Sequence, residues 1–506
     1  MNKPLDKSSR ALLVFLLLSA ALAAPTLLAG GTAPLVAKPQ VSAPVTVTDN
    51  GRTWTLDNGI VKATINKNNG NMPSLVYHGI ETMGSGGNSG GYWEQTPQAA
   101  PQLTQTITID PATNGGARAE VAVKGVTGGT VMLTPGAPGG GTYCDIEVRY
   151  ALGRGESGIY AYAIFSHPAA YGAMGVGESR YITKLNKTFD WISVDADRNM
   201  LECAPQDWGA GIQIHAKEQR ILSTGLYKNS VEHKYSYTAV QYKIPAFGWS
   251  STKDHVGVWF INPTIEFLSG GAAKQELVCH FDANNDPDPI ILDYWRGTHY
   301  GGGASCNLSA GEEWSKVIGP IFVYCNALFD PKVPSPADLA TLAATAGNPA
   351  VPAAWNANAT ALWQDALSQA KKERALWPYD WVNGVDYPHK DQRGTVTGQI
   401  VLNDPQAATT KLPHLTVGLA HPDYARGAAA GRRGGPPPGA GGANASPGAR
   451  GAFAFGGGAT VDWAHDAKFY QFWTDGSENG QFTIPNVRPG AYTLHAFADG
   501  VLGELA

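Results

Sequence analysis

The feature that most constrains this chain is a long series of short β-prone runs over residues 45–330, separated by Gly, Asn and Pro turns, with no helical pattern between them. In TWTLDNGIVKATINKNNGNMPSLVYHGIE (53–81), residues Thr53, Thr55, Ile60, Lys62, Thr64 and Ile65 sit in such runs. Asp57-Asn58-Gly59 and Asn68-Asn69-Gly70 break them with residues that tolerate tight turns. YAYAIF (160–165), GVWFI (257–261) and GPIFVY (319–324) continue the series. A parallel α/β fold would need crossover helices between strands, so the series predicts an all-β fold built on a large sandwich. The 61 glycines suit the many turns such a fold requires.

Residues 331–390 change character and read as a helical connector. Pro-Ala-Asp-Leu near 336 opens a short helix, and ATALWQDALSQAKKERAL (359–376) is the clearest helix in the chain. Leu362, Ala366, Leu367 and Ala370 line one face, and Pro378 stops it. From 391 to 506 strands return in GTVTGQIVL (394–402), LTVGLA (415–420), YQFWT (470–474), GQFTIPNV (480–487) and AYTLHAFA (491–498), which predicts a second, smaller β-domain. The 425–458 stretch between them is mostly Gly, Ala, Pro and Arg. It has too few apolar side chains for a core and reads as a mobile loop.

The N-terminus has the pattern of an export signal over 1–24. Lys3, Lys7 and Arg10 precede the apolar run ALLVFLLLSAALAA, and small residues at Ala21 and Ala23 permit cleavage. A membrane anchor is the alternative, but the run is short for a span of about 20 residues. The mature chain is therefore expected to be secreted or periplasmic, with no membrane association after cleavage. A net charge of −5 without a basic run gives no footing for nucleic acid. The five cysteines, Cys144, Cys203, Cys279, Cys306 and Cys325, lack zinc-type spacing; export permits disulfides, and burial as small apolar residues is the other reading.

Several strings, taken in order, resemble the rhamnogalacturonan lyases of polysaccharide lyase family 4. They are the opening 53–81 segment, GESRYITKLN (177–186), VEHKYSY (231–237), FGWSS (247–251), GVWFINPTIEFLSGGAAKQEL (257–277), THYGGG (298–303) and EEWSKVIGPIFVYCN (312–326). RGTVTGQI, KFYQFWT and GQFTIPNVRPGAYTLHAFADGVLGE extend the series through the second domain. The resemblance implies a galactose-mutarotase-like super-sandwich followed by a fibronectin-III-like β-sandwich. The family's plan continues with a carbohydrate-binding jelly roll. Ala506 follows soon after the second domain's last strand, so that third domain is expected to be missing.

The implied activity is β-elimination in rhamnogalacturonan, the pectin backbone polymer that alternates galacturonate and rhamnose. Such a reaction needs a cation on the uronate carboxylate, a base for the C5 proton and a donor for the leaving C4 oxygen. Arg180 falls on the family's Gly-Glu-x-Arg arginine, and a planar guanidinium suits a carboxylate; a structural salt bridge is its other reading. Lys217 in HAKEQR matches the family's lysine base, with Lys234 as competitor. A free lysine is too fully protonated for this role unless burial or nearby cations lower its pKa.

The family's acid is a histidine, but no histidine lies between His233 and His255. Tyr242, Tyr237 and Tyr235 are the substitutes, although packing is the commoner fate of a tyrosine. His233 would share a strand face with Tyr235, and His299 with Tyr300 forms a candidate substrate-groove pair. No cofactor or protein-held metal is expected, and a calcium requirement is left open. A non-catalytic carbohydrate-binding protein is the alternative function, and a mutarotase-like isomerase a third.

Overall fold

A computed structural model of the chain describes residues 34–38, 41–85, 90–97, 102–129, 144–216, 218–282, 287–300, 303–344, 349–405, 409–427 and 460–501. The 1–24 signal and nearly all of the 425–458 loop lie outside the described residues. Among these residues, strands dominate from Thr46 to Ala327 and again from Gly394 to Phe497. No helix of the described residues is long and apolar enough to cross a membrane.

The sandwich begins with a five-stranded meander in chain order from Thr46–Asp49 to Ile80–Glu81. The expected turns are where the sequence places them: Gly59 (φ +78°) and Gly70 (φ +72°) take left-handed backbone between strands. A nine-stranded antiparallel sheet has the long strands Trp314–Ala327 and Gly158–His167 near its centre. Opposite it stands a four-stranded sheet in the order Cys279–Phe281, Pro289–Arg296, Ser179–Lys184, Gly90–Trp93.

The two sheets meet through large aromatic side chains. Tyr181 stacks on Phe260 with centroids 5.4 Å apart, and Trp295 meets Phe165 at 5.0 Å. The Trp249 indole donates to the Ile290 carbonyl across the same layer at 3.0 Å. Because side chains alternate along a strand, the residues between these core positions point to the outer face of the four-stranded sheet.

Helix Ala353–Leu376 packs across the far side of the nine-stranded sheet. Leu362, Ala366 and Ala370 are buried, as the helical pattern predicts, and Trp363 joins them against Tyr160, Trp259 and Tyr324. The segment read as a connector is therefore also a third layer of the sandwich. The helix ends at Leu376, two residues before Pro378. All five cysteines are buried, and no disulfide joins them.

The second β-unit pairs Gly394–Gln399 with Gln481–Val487, and places Thr416–Ala420 between Phe472–Asp475 and Thr493–Phe497. Its core holds Leu415, Val417, Phe472, Phe482 and Ile484. It is joined to the sandwich by buried polar links. Arg393 binds Glu266 (2.7 Å), and Lys316 donates to the Ala467 and Phe469 carbonyls at 2.8 and 3.0 Å.

Candidate active site

The outer face of the four-stranded sheet gathers most of the residues that the sequence singles out. On the strand Ser179–Lys184, Tyr181 faces the core, so Arg180, Ile182 and Lys184 face outward. Arg180 stands opposite Tyr294, and Ile182 lies in one row between Tyr92 and Leu292. Tyr92, Tyr235 and Tyr300 pack against Ile182, Leu292 and Tyr294. The result is an aromatic and aliphatic floor with charges along one side.

Arg180 is the centre of that charge. Its Nη1 lies 3.4 Å from Glu178 Oε1, and its Nε lies 3.2 Å from Glu94 Oε2. Nη1 also donates to the Tyr294 hydroxyl, and the guanidinium sits 4.9 Å above the Tyr294 ring. Burial works against the Arg180 charge, but Tyr294, Glu94 and Glu178 outweigh it and hold its pKa above the ordinary value. The same burial pushes the Glu94 carboxyl up to about 7; Arg180 opposes that rise and Glu178 adds to it. One guanidinium thus faces two carboxylates, one of which can change its proton near neutrality.

His299 lies on the rim, its Nδ1 3.0 Å from Glu276 Oε2 and its Nε2 3.8 Å from Glu178 Oε2. Thr298 fixes Glu178 from the other side with a 2.5 Å hydrogen bond. Lys274 donates to the Tyr300 carbonyl and lies 3.8 Å from Glu276, so the loop carrying His299 and Tyr300 is tethered at both residues. Arg180, Tyr235, His299 and Tyr300 therefore belong to one surface.

The other candidates are placed differently. Lys217 lies outside the described residues. Tyr237 is buried, 3% exposed, with its hydroxyl donating to Glu202 and its ring stacked on His280, away from the aromatic floor. The Tyr242 hydroxyl donates to Asp475 of the second β-unit at 3.0 Å, and burial followed by Asp475 raises its pKa. His233 ends a short strand, and Lys234–Tyr237 then turns as a 3₁₀ helix, so the shared strand face inferred from its spacing to Tyr235 does not form. The two rings are nevertheless 6.5 Å apart. Tyr235 is half-buried, and burial raises its hydroxyl pKa, which keeps the proton in place at neutral and mildly alkaline pH.

Glu94, Glu178, Glu276 and Tyr294 escaped the sequence reading. Glu178 sits inside the Gly-Glu-x-Arg string, where the acid beside the arginine was a signal. Glu94 and Tyr294 are joined to Arg180 only by strand pairing, which no local pattern reveals. A separate hollow of about 170 Å³ on the nine-stranded sheet is lined by Lys124, Asp145, Glu147 and Asp386 among others. It is away from this face, and its carboxylates would repel an anionic ligand.

Residues 31–218 match the family model described as the rhamnogalacturonate lyase family, and residues 445–506 match the model for polysaccharide lyase family 4, domain II. A rhamnogalacturonate lyase of Dickeya dadantii (strain 3937) is 25% identical over 355 residues, covering 70% of this chain and 45% of that protein. A probable rhamnogalacturonate lyase B of Aspergillus niger is 23% identical over 259 residues, covering 51% of this chain and 26% of that protein. The aligned part thus spans less than half the length of either relative. Among solved structures, a galactose mutarotase-like protein from Lactobacillus casei covers 55% of this chain and 99% of its own at 10% identity, with a TM-score of 0.29, too low to carry an argument. Both family models match in chain order and the Dickeya dadantii lyase aligns over 70% of this chain, so the chain is similar to the rhamnogalacturonate lyases of polysaccharide lyase family 4 in both its sandwich and its second β-unit.

Proposed function

We propose that this protein cleaves the rhamnose–galacturonate backbone of rhamnogalacturonan by β-elimination on the outer face of the four-stranded sheet. The observation that carries this reading is Arg180, a guanidinium fixed by Glu94, Glu178 and Tyr294 beside a floor of tyrosine rings. Rings of this kind offer flat apolar faces to sugars.

In the elimination, a base takes the C5 proton, the C4–O bond breaks, a C4=C5 double bond forms, and the leaving oxygen receives a proton. Negative charge develops at C5 and spreads into the carboxylate. A guanidinium paired with that carboxylate stabilises the transition state more than the ground state. Because Glu94 holds its proton up to about pH 7, it can leave part of the Arg180 charge to an arriving uronate.

Lys217 is assigned as the base on its sequence match. Tyr235 is assigned as the proton donor, because it is the tyrosine of the 235–242 segment on the floor of the site. His299, oriented by Glu276, and His233 flank the sugar path as binding residues.

The test is the ultraviolet absorbance of unsaturated uronate. Product is expected from rhamnogalacturonan and not from plain polygalacturonate. Equal release from both polymers, or none from rhamnogalacturonan, contradicts the reading.

A further inference from the structure

Beside this face lies a cluster that the proposed reaction does not use. Glu202 follows the edge strand Asn199–Leu201 of the nine-stranded sheet, Glu232 lies on Val231–His233, and His280 lies on Cys279–Phe281 at the edge of the four-stranded sheet. One ligand atom from each falls within 4.8 Å of the others. His280 is fully buried, and Glu202 is 4% exposed.

Two carboxylates this close repel one another, and burial magnifies the cost. A basic side chain within reach of them is the His280 imidazole, with Nε2 3.4 Å from Glu232 Oε1. Glu202 Oε2 and both ring nitrogens of His280 are buried without a hydrogen-bond partner. Such groups are rare in folded proteins unless something further satisfies them.

The rest of the cluster is organised around those atoms. The His280 ring is held by Trp208, centroids 4.7 Å apart, and by Tyr237 at 5.2 Å. The Tyr237 hydroxyl donates to the other Glu202 oxygen, as outer partners of metal-bound carboxylates do.

We infer that Glu202, Glu232 and His280 bind a divalent first-row transition cation of the zinc or manganese type. One imidazole nitrogen with two carboxylates suits such borderline ions. Calcium, which takes six to eight oxygen ligands, is poorly served by this set. The ion would tie together three segments distant in sequence, and so fix the 231–237 segment that carries Tyr235 against the sheet. Its role is structural and does not depend on the reaction proposed above.

The experiment measures metal content and melting temperature of the whole protein, so its outcome is separate from any lyase assay. After incubation with zinc and exhaustive dialysis, about one equivalent per chain is expected to remain, as at other protein zinc sites. Stripping with a chelator should lower Tm by several degrees, and zinc should restore it. Cobalt loaded in place of zinc should give visible absorption bands. Glu232→Gln, at the partly exposed ligand, should remain folded, lose the retained zinc and lose the cobalt bands. Tyr237→Phe should weaken zinc affinity about 10–100-fold. A folded wild-type protein that retains no zinc or manganese overturns the inference, and so does undiminished retention in Glu232→Gln. Either result leaves the two glutamates sharing a proton instead.

Discussion

Arg180 and Arg393 both sit among carboxylates and aromatic rings, yet they are held in different ways. Arg393, at the junction of the two β-units, has no side-chain exposure and grips Glu266 through two nitrogens at 2.7 and 3.2 Å. Its remaining donors reach the Pro388 and Asn486 carbonyls, and its guanidinium lies 4.5 Å over Trp377. Arg180 faces two glutamates, and its Nε lies near Glu94 without the alignment of a hydrogen bond. One of its carboxylates titrates near 7. At the junction each charge is matched and saturated, which fixes one geometry. On the sheet face the balance is adjustable by a proton, which suits a site that must exchange partners with an anionic ligand.

The largest effect that sharpens this contrast is on stability at the junction. Arg393→Gln leaves Glu266 buried with its main partner gone and should cost about 3–5 kcal/mol, read by denaturant unfolding. Loss of activity per folded molecule without loss of stability would place Arg393 in the wrong class. Next comes Tyr235→Phe, which removes only a hydroxyl from the floor of the site. It should lower kcat at least about 10²-fold, as expected for a lost general acid, with Tm almost unchanged. Wild-type kcat in this variant would pass the donor role to His299.

A pH profile gives a smaller effect. The Glu94 pKa is raised from its unfolded value of 4.5 to about 7. Its contribution to stability is therefore fully present below about 4.5 and is lost as pH rises through about 7. The same ionisation adds a competing anion beside Arg180, so KM for the polymer should climb severalfold across that range. Glu94→Gln should flatten both the stability decline and the KM rise. An unchanged KM slope in Glu94→Gln would show that its proton is irrelevant to binding. The smallest effect is for Tyr242→Phe. It removes one hydrogen bond to Asp475 between the two β-units and should cost roughly 1 kcal/mol, leaving kcat within about twofold. A large fall in kcat would restore Tyr242 as the donor.

These residues also mark how far the sequence could be read. The strand runs, the two Gly-bearing turns and the helix from 359 to 376 were legible because each depends on neighbours in the chain, whereas the helix's first turns from Ala353 were not. Arg180 is singled out by its string, and Tyr235, His299 and Tyr300 by theirs, and the fold gathers these four on one face. Tyr237 was misjudged as a candidate donor. Tyr235 and Tyr237 look alike in VEHKYSY, but the 3₁₀ turn at Lys234–Tyr237 carries one ring to the open floor and the other inward against His280. The pairing of Arg180 with Glu94 and Tyr294, and the meeting of Glu202, Glu232 and His280, arise from contacts between distant segments. Local periodicity carries no trace of them. The helix read as a connector was correctly bounded near Leu376, yet its place as a third layer depends on the sheet it covers.

If the Arg180 charge serves a ligand and the Arg393 charge serves the fold, losing each should cost a different property. The most direct measurement is kcat/KM on rhamnogalacturonan together with Tm for Arg180→Gln. A fall of about 10²–10³-fold in kcat/KM is expected, the scale of a lost electrostatic stabiliser. Tm should shift little, because Glu94 can take up a proton when its partner is gone. A large fall in Tm with kcat/KM per folded molecule close to wild type would contradict it and make Arg180 a structural ion pair.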